Sequence, residues 1–130
     1  MATDPEDRDS RWPRRLYRDG SDPDPRFTLA NERTFLAWIR TALALMAGGV
    51  GIEALNAATG QASPLRTALA VLLLLGGVLC SATAFARWIA TERALRRGRP
   101  LPAPRLAPVI GYGLGAIGIA ACVLLFVSGF

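Results

Sequence analysis

Residues 67–86 carry no charge over 20 positions, and residues 106–130 carry none over 25. An α-helix rises ~1.5 Å per residue, so about 20 apolar residues cross a hydrocarbon core of ~30 Å. Thr41–Ile52 is a third charge-free block, and it reaches spanning length only if its helix includes Arg40 or Glu53. A chain of 130 residues, 52% of them hydrophobic, cannot bury three such helices inside itself. The bilayer is the solvent that remains. The sequence therefore predicts an all-α membrane protein with three transmembrane helices, spanning about 33–56, 65–88 and 107–129. Together they form one transmembrane domain over 26–130.

Charge outside those blocks sets the expected topology. Residues 1–25 are polar, mixed in charge and interrupted by Pro5, Pro13, Pro23 and Pro25, which predicts a disordered arm. Within it, Arg11-Trp12-Pro13-Arg14-Arg15-Leu16-Tyr17-Arg18 mixes basic and aromatic residues in a way that suits anionic headgroups at a membrane surface. Seven acids flank that patch, a poor footprint for nucleic acid, and a plain solvated tail is the simpler reading. No apolar core precedes the charges of the arm, so no cleavable signal peptide is expected. Seven arginines lie between the start and Arg33, and six lie in 87–105; the loop between the first two helices has none. The positive-inside rule then predicts a cytoplasmic N-terminus and 87–105 connector, with the C-terminus outside.

The first helix carries Arg26, Arg33 and Arg40 at seven-residue spacing. Seven residues make nearly two turns, so these three fall within about 40° of one another on a helix. The same line continues inward through Ala37, Ala44, Ala47, Gly48 and Gly51, while Phe35, Trp38, Leu45 and Met46 occupy the opposite side. A charge at the bilayer centre costs about 2.5–3.5 kcal/mol on insertion scales. Arg40 reduces that cost by snorkelling to the interface. Asn31 and Glu32 are placed to satisfy backbone donors at the helix start, and Glu32 and Glu92 are the acids available to Arg33, Arg40 or Arg93. Past the second span, Arg93 and Arg97 sit on a charged helical extension. Gly111 and Gly115 have GxxxG spacing in the third helix, where small residues let helices approach closely, either within the chain or between copies.

The residues for catalysis are missing from the pattern. The chain has no histidine, no nucleophile–base pair, no cysteine–acid cluster with metal-ligand spacing and no glycine loop ahead of a lysine. Cys80 and Cys122 both fall in spans and read as packing residues. No enzyme, cofactor, metal or nucleic-acid partner is expected.

Leu29-Ala30-Asn31-Glu32-Arg33-Thr34-Phe35-Leu36-Ala37-Trp38-Ile39-Arg40-Thr41-Ala42-Leu43, with the glycine-rich run to Glu53 and Arg87-Trp88 through Arg97, closely resembles the membrane family called domain of unknown function 202. The YidH-like bacterial inner-membrane proteins belong to it. A related domain forms the membrane part of the eukaryotic vacuolar transporter chaperone complex, a five-fold ring with a basic path for polyphosphate. The resemblance implies a bacterial inner-membrane homo-oligomer, in one form a five-fold ring, that meets a phosphate-bearing anion. Carried onto this chain, it places Arg26 and Arg33 at the mouth, with Arg93 or Arg97 from the second helix. This chain lacks the polymerase and phosphate-sensing domains of that complex. Two functions are expected from these readings: an anion or polyphosphate channel-like module, or a non-transporting scaffold whose charges fix topology and partner contacts.

Overall fold

Asp24 and Pro25 start the first long helix. The Asp24 carboxylate accepts the Arg26 backbone N–H at 3.0 Å, and Pro25 fills the first helical position, where no N–H is needed. Ser63 and Pro64 repeat the device 39 residues downstream, with the Ser63 hydroxyl accepting the Arg66 N–H at 3.2 Å. The computed structural model describes residues 11–102 and 106–127. Among them are four helices and no strand: α1 (Arg14–Tyr17), α2 (Pro25–Thr59), α3 (Pro64–Arg97) and α4 (Leu106–Val127). The cap at Asp24 replaces the one expected at Asn31 and Glu32. Aspartate directly before proline is the stronger start signal, and it starts the helix at Pro25, one residue before the predicted transmembrane domain and about two turns ahead of the span itself.

Glycine ends both long helices. Gly60 and Gly98 each adopt φ +63°, the left-handed conformation that closes a helix. At the end of α3, Gly98 N–H bonds the Leu95 carbonyl and Arg99 N–H bonds the Ala94 carbonyl, the two bonds of a Schellman motif. With 35 and 34 residues, α2 and α3 run to about 50 Å each, well beyond a hydrocarbon core of ~30 Å. The 22 residues of α4 come to about 33 Å, close to that thickness. All three are long and apolar enough to cross a membrane.

The described residues divide into two compact units. One contains residues 11–37 and 84–102, and the other contains 38–83 and 106–127. In the second unit, the buried positions of α2 are Ala42, Gly49 and Asn56, and those of α3 are Ala70, Gly77 and Cys80. Spacings of seven, and of three, mark a coiled-coil-like seam. Its two glycines permit the approach: a Cβ on Gly77 would lie 2.8 Å from the Ala42 carbonyl oxygen, and one on Gly49 would lie 2.7 Å from that of Ala70. The seam is thus one residue away from the small-residue line read from the sequence. Gly51, Gly111 and Gly115 have nothing within 4 Å of a would-be Cβ, and Gly48 meets only the Leu73 side chain at 3.6 Å. One residue on a helix is a 100° rotation, so the seam follows the bulky side, with Leu45 and Met46, and leaves the small residues facing outward. Among the described residues, the half-buried positions of helix α4 are Ile110, Ile117, Ala121 and Leu124. Large apolar side chains elsewhere stay open, Leu79 at 64% and Ile119 at 68%, as lipid-facing surface requires.

Candidate functional site

The first unit gathers the polar chemistry of the chain. Glu92 on α3 is 1% exposed. One oxygen accepts the Thr28 hydroxyl at 3.1 Å, and the other accepts the Asn31 amide at 3.4 Å. That Asn31 amide also donates to the Trp88 carbonyl, one turn back on α3, at 3.1 Å. A buried carboxylate needs compensation, and two neutral donors on α2 supply it. The expectation that Glu92 pairs with an arginine is corrected: its partners are Thr28 and Asn31. Side-chain placement explains the difference, because Glu92 points into the α2–α3 seam while Arg93, the next residue, points outward.

One turn beyond, Arg96 is also buried, at 5%. Its guanidinium donates from Nε to the Asp19 carbonyl at 2.8 Å, from NH1 to the Asp22 carboxylate at 2.6 Å and from NH2 to the Tyr17 carbonyl at 2.7 Å. The planar fork of arginine suits acceptors arranged in this way. Tyr17 lies under two cations, with the Arg11 guanidinium 4.5 Å and that of Arg96 5.3 Å from its ring centre. Asp19 pairs with Arg97 and, at 3.8 Å, with Arg93. Gly20, at φ +63°, lets the arm turn against the Arg96 carbonyl, which accepts the Ser21 N–H at 3.1 Å. The Arg97 hydrogen bond holds the Asp19 carboxyl below its ordinary range, and Arg96 does the same for Asp22, each against a smaller desolvation effect.

Residues 11–24 are therefore folded onto the end of α3, where the sequence predicted a disordered arm; residues 1–10 lie outside the described residues. The hydrogen bonds of Arg96 and the ion pairs of Asp19 and Asp22 supply what the arm's apolar content does not. Sequence reasoning missed Asp19 and Asp22, and it read Tyr17 only as part of a headgroup-facing patch and Arg96 only as part of a cationic helix end. The available signal was charge complementarity between two arm acids and the Arg93, Arg96 and Arg97 cluster.

Arg26, Arg33 and Arg40 stand apart from this network. All three are exposed, and among the described residues none makes an ion pair or a side-chain hydrogen bond. Arg93 and Arg97, grouped with them in the sequence reading, are instead engaged by Asp19. Glu32 is exposed without an ion pair among the described residues and lines an aromatic cavity with Phe35 and Trp88. At the far end of α2, Glu53 accepts the Asn56 amide at 3.2 Å. Among the described residues no group of histidine, cysteine, aspartate and glutamate side chains is placed to hold a metal.

The family model for the domain of unknown function DUF202 matches residues 26–94, which takes in Thr28, Asn31, Arg33, Arg40 and Glu92. The inner membrane protein YidH of Escherichia coli K12 is 40% identical over 116 residues, covering 88% of this chain and 99% of that protein. An uncharacterized protein of Mycobacterium tuberculosis is 41% identical over 104 residues, covering 80% of this chain and 84% of that protein. No solved structure matches. With its three membrane-spanning helices, the chain is a multi-pass bacterial inner-membrane protein and belongs to the DUF202 family.

Proposed function

We propose that the protein is a non-enzymatic homo-oligomer whose first spanning helix presents Arg26, Arg33 and Arg40 to a phosphate-bearing anion at the cytoplasmic mouth of a channel-like module. The observation that carries this reading is that, among the described residues, these arginines have no ion pair and no side-chain hydrogen bond. Three guanidinium groups repeat every seven residues on one unbroken helix, exposed and without ion pairs among the described residues. Arginine facing hydrocarbon without compensation is costly, and a phosphate oxyanion or a neighbouring copy provides compensation. Three spans are too few to enclose a path, so the reading requires several copies around an axis, and the family resemblance offers a five-fold ring. Outward-facing Gly48, Gly51, Gly111 and Gly115 are available to contacts between copies. Cytoplasmic placement of the arginines follows from the positive-inside rule.

A second reading, a non-transporting scaffold, draws support from the arm. Asp19 and Asp22 occupy Arg93, Arg96 and Arg97, which makes that cluster a topological and structural device. Anion efflux from liposomes separates the two. Under the first reading, wild-type protein releases phosphate or short polyphosphate, and Arg33→Ala and Arg40→Ala each reduce the rate at unchanged protein content. Efflux equal to that of protein-free vesicles rejects the channel and leaves the scaffold.

A further inference from the structure

Four aromatic side chains from three segments of the first unit meet around one cavity. Trp12 comes from the arm, Phe35 from α2, and Phe85 and Trp88 from α3. Trp12 and Phe85 lie 6.1 Å apart between ring centres, with their planes 18° apart. Phe85 and Trp88 lie 6.0 Å apart at the same angle, and Phe35 tilts 52° to Trp88 at 6.3 Å. They line a cavity of about 290 Å³ together with Leu36 and Glu32. That volume is at the small end of the range for ligand sites, ~300–1,000 Å³, and suits one compact group.

Charge defines what that group is. Glu32 is the one ionisable side chain lining the cavity among the described residues, and it makes no ion pair among them. The positions three and four away on its helix are Thr28, Leu29, Phe35 and Leu36, none of them a cation. Aromatic faces carry negative quadrupole density and attract organic cations within about 6 Å. A carboxylate beside such faces selects positive charge and rejects anions. A hard divalent metal is excluded by the donor count, because it needs several oxygen ligands and this cavity supplies one carboxylate. The match is an organic ammonium group, and a primary one, since it can donate hydrogen bonds to the carboxylate as well as lie against the rings.

Two further features identify its source. Phe35 and Leu36 stand one turn from Glu32 toward the apolar part of α2, so the cavity passes from carboxylate to hydrocarbon-like surface in a single turn. We propose that this cavity holds the headgroup of a bilayer phospholipid with a primary amine, phosphatidylethanolamine, its ammonium against Glu32 and the rings and its acyl chains on the side of Phe35 and Leu36. Aromatic residues are enriched at headgroup level in membrane proteins, which places the rings at the right depth for it. The site concerns lipid binding and stands or falls independently of anion flux.

The test uses the full chain in a lipid-free detergent, with short-chain phosphatidylethanolamine, phosphatidylglycerol and phosphatidylcholine titrated in while tryptophan fluorescence is read. Trp12 and Trp88 border the cavity, so occupancy changes their emission. Phosphatidylethanolamine is expected to bind at least about tenfold more tightly than the other two. Glu32→Gln, isosteric at an exposed position, is expected to abolish that preference, and Trp12→Ala to weaken it, both with helix content unchanged by circular dichroism. Free ethanolamine is expected to produce no shift at the same concentrations. Equal binding of the three lipids, a preference that survives Glu32→Gln, or free ethanolamine binding as tightly as the lipid each overturns the assignment.

Discussion

Arg96 donates to the Asp22 carboxylate at 2.6 Å, joining side chains 74 residues apart in the chain. The arginine side chain is 4% exposed and the aspartate 39%, so a buried cation is reached by a half-exposed acid. Arg93, Arg96 and Arg97 would repel one another within a single helical turn. The arm answers this with Asp19 and Asp22, and with two backbone carbonyls on the Arg96 fork. The last turn of α3 is consequently the dock for the N-terminal arm.

Replacing Arg96 should free the arm. Arg96→Ala removes three hydrogen bonds from a charged donor, each worth about 1.5–3 kcal/mol in isolation and less in sum because they share one side chain. Trypsin, which cuts after Arg14, Arg15 and Arg18, should then cleave the arm at least about tenfold faster, since a loss of about 1.4 kcal/mol is already tenfold in the docked–free equilibrium. Arg96→Lys should give an intermediate rate, because an ammonium keeps the charge but cannot match the fork. Unchanged cleavage in Arg96→Ala would mean that the arm is held by something else.

Acid should release the same contact. Asp19 and Asp22 both titrate below their ordinary value, owing first to hydrogen bonds from Arg97 and Arg96 respectively. A carboxyl depressed in the docked state stabilises docking above its free value of about 3.9, and the contribution is lost as pH falls through the lower docked value. Docking should hold from neutral pH down to about 4 and fade below it. The Ser21 amide, bonded to the Arg96 carbonyl at 3.1 Å, reports this by NMR in micelles. The double variant Asp19→Asn, Asp22→Asn should show no such transition.

The Glu92 cluster should respond to loss of its acceptor. Glu92→Leu strands the Thr28 hydroxyl, and it leaves the Asn31 amide with only the Trp88 carbonyl. A buried unsatisfied donor costs about 1–3 kcal/mol, so thermal unfolding in detergent should shift downward. Glu92→Gln keeps an acceptor for Thr28 and should recover most of the loss. If Glu92→Leu matches or exceeds wild type, the cluster is dispensable to the fold.

The spans were legible because hydropathy and length are local properties. Charge-free runs over 67–86 and 106–130 sufficed for α3 and α4, and Asn31 and Glu92 were singled out for their polarity alone. Which residues meet was harder to read. Small residues mark where helices can approach, yet the line read from the sequence ran through Gly48 and Gly51, and the seam uses Gly49. The 100° between neighbours decides this, and it depends on the partner helix. Arm docking was hidden for another reason: its affinity resides in a few charged contacts over long sequence separation, which composition averages away.

That rotation makes a prediction of its own. Gly77→Val should weaken the α2–α3 pair by about 1–3 kcal/mol, because its branches meet the Ala42 carbonyl and Met46 with no room to yield. Gly51→Ala meets nothing within 4 Å and gains up to about 1 kcal/mol of helix propensity. Thermal midpoints in detergent should therefore move in opposite directions. Equal destabilisation would place Gly51 in a contact with another copy.

The arginine stripe should be nearly silent in stability. Removing an exposed side chain without ion pairs among the described residues breaks no polar contact there, so Arg33→Ala and Arg40→Ala should stay within about ±0.5 kcal/mol of wild type. The contrast with Arg96→Ala is the informative comparison, since all three changes delete one arginine from a long helix. If Arg33→Ala unfolds as readily as Arg96→Ala, the stripe is structural, and the case for an anion-facing surface loses its basis. If stability is unchanged while phosphate efflux falls, the arginines act on something outside their own chain. Measuring both quantities on the same preparations therefore distinguishes a structural role for the charges from one at the mouth of a pathway.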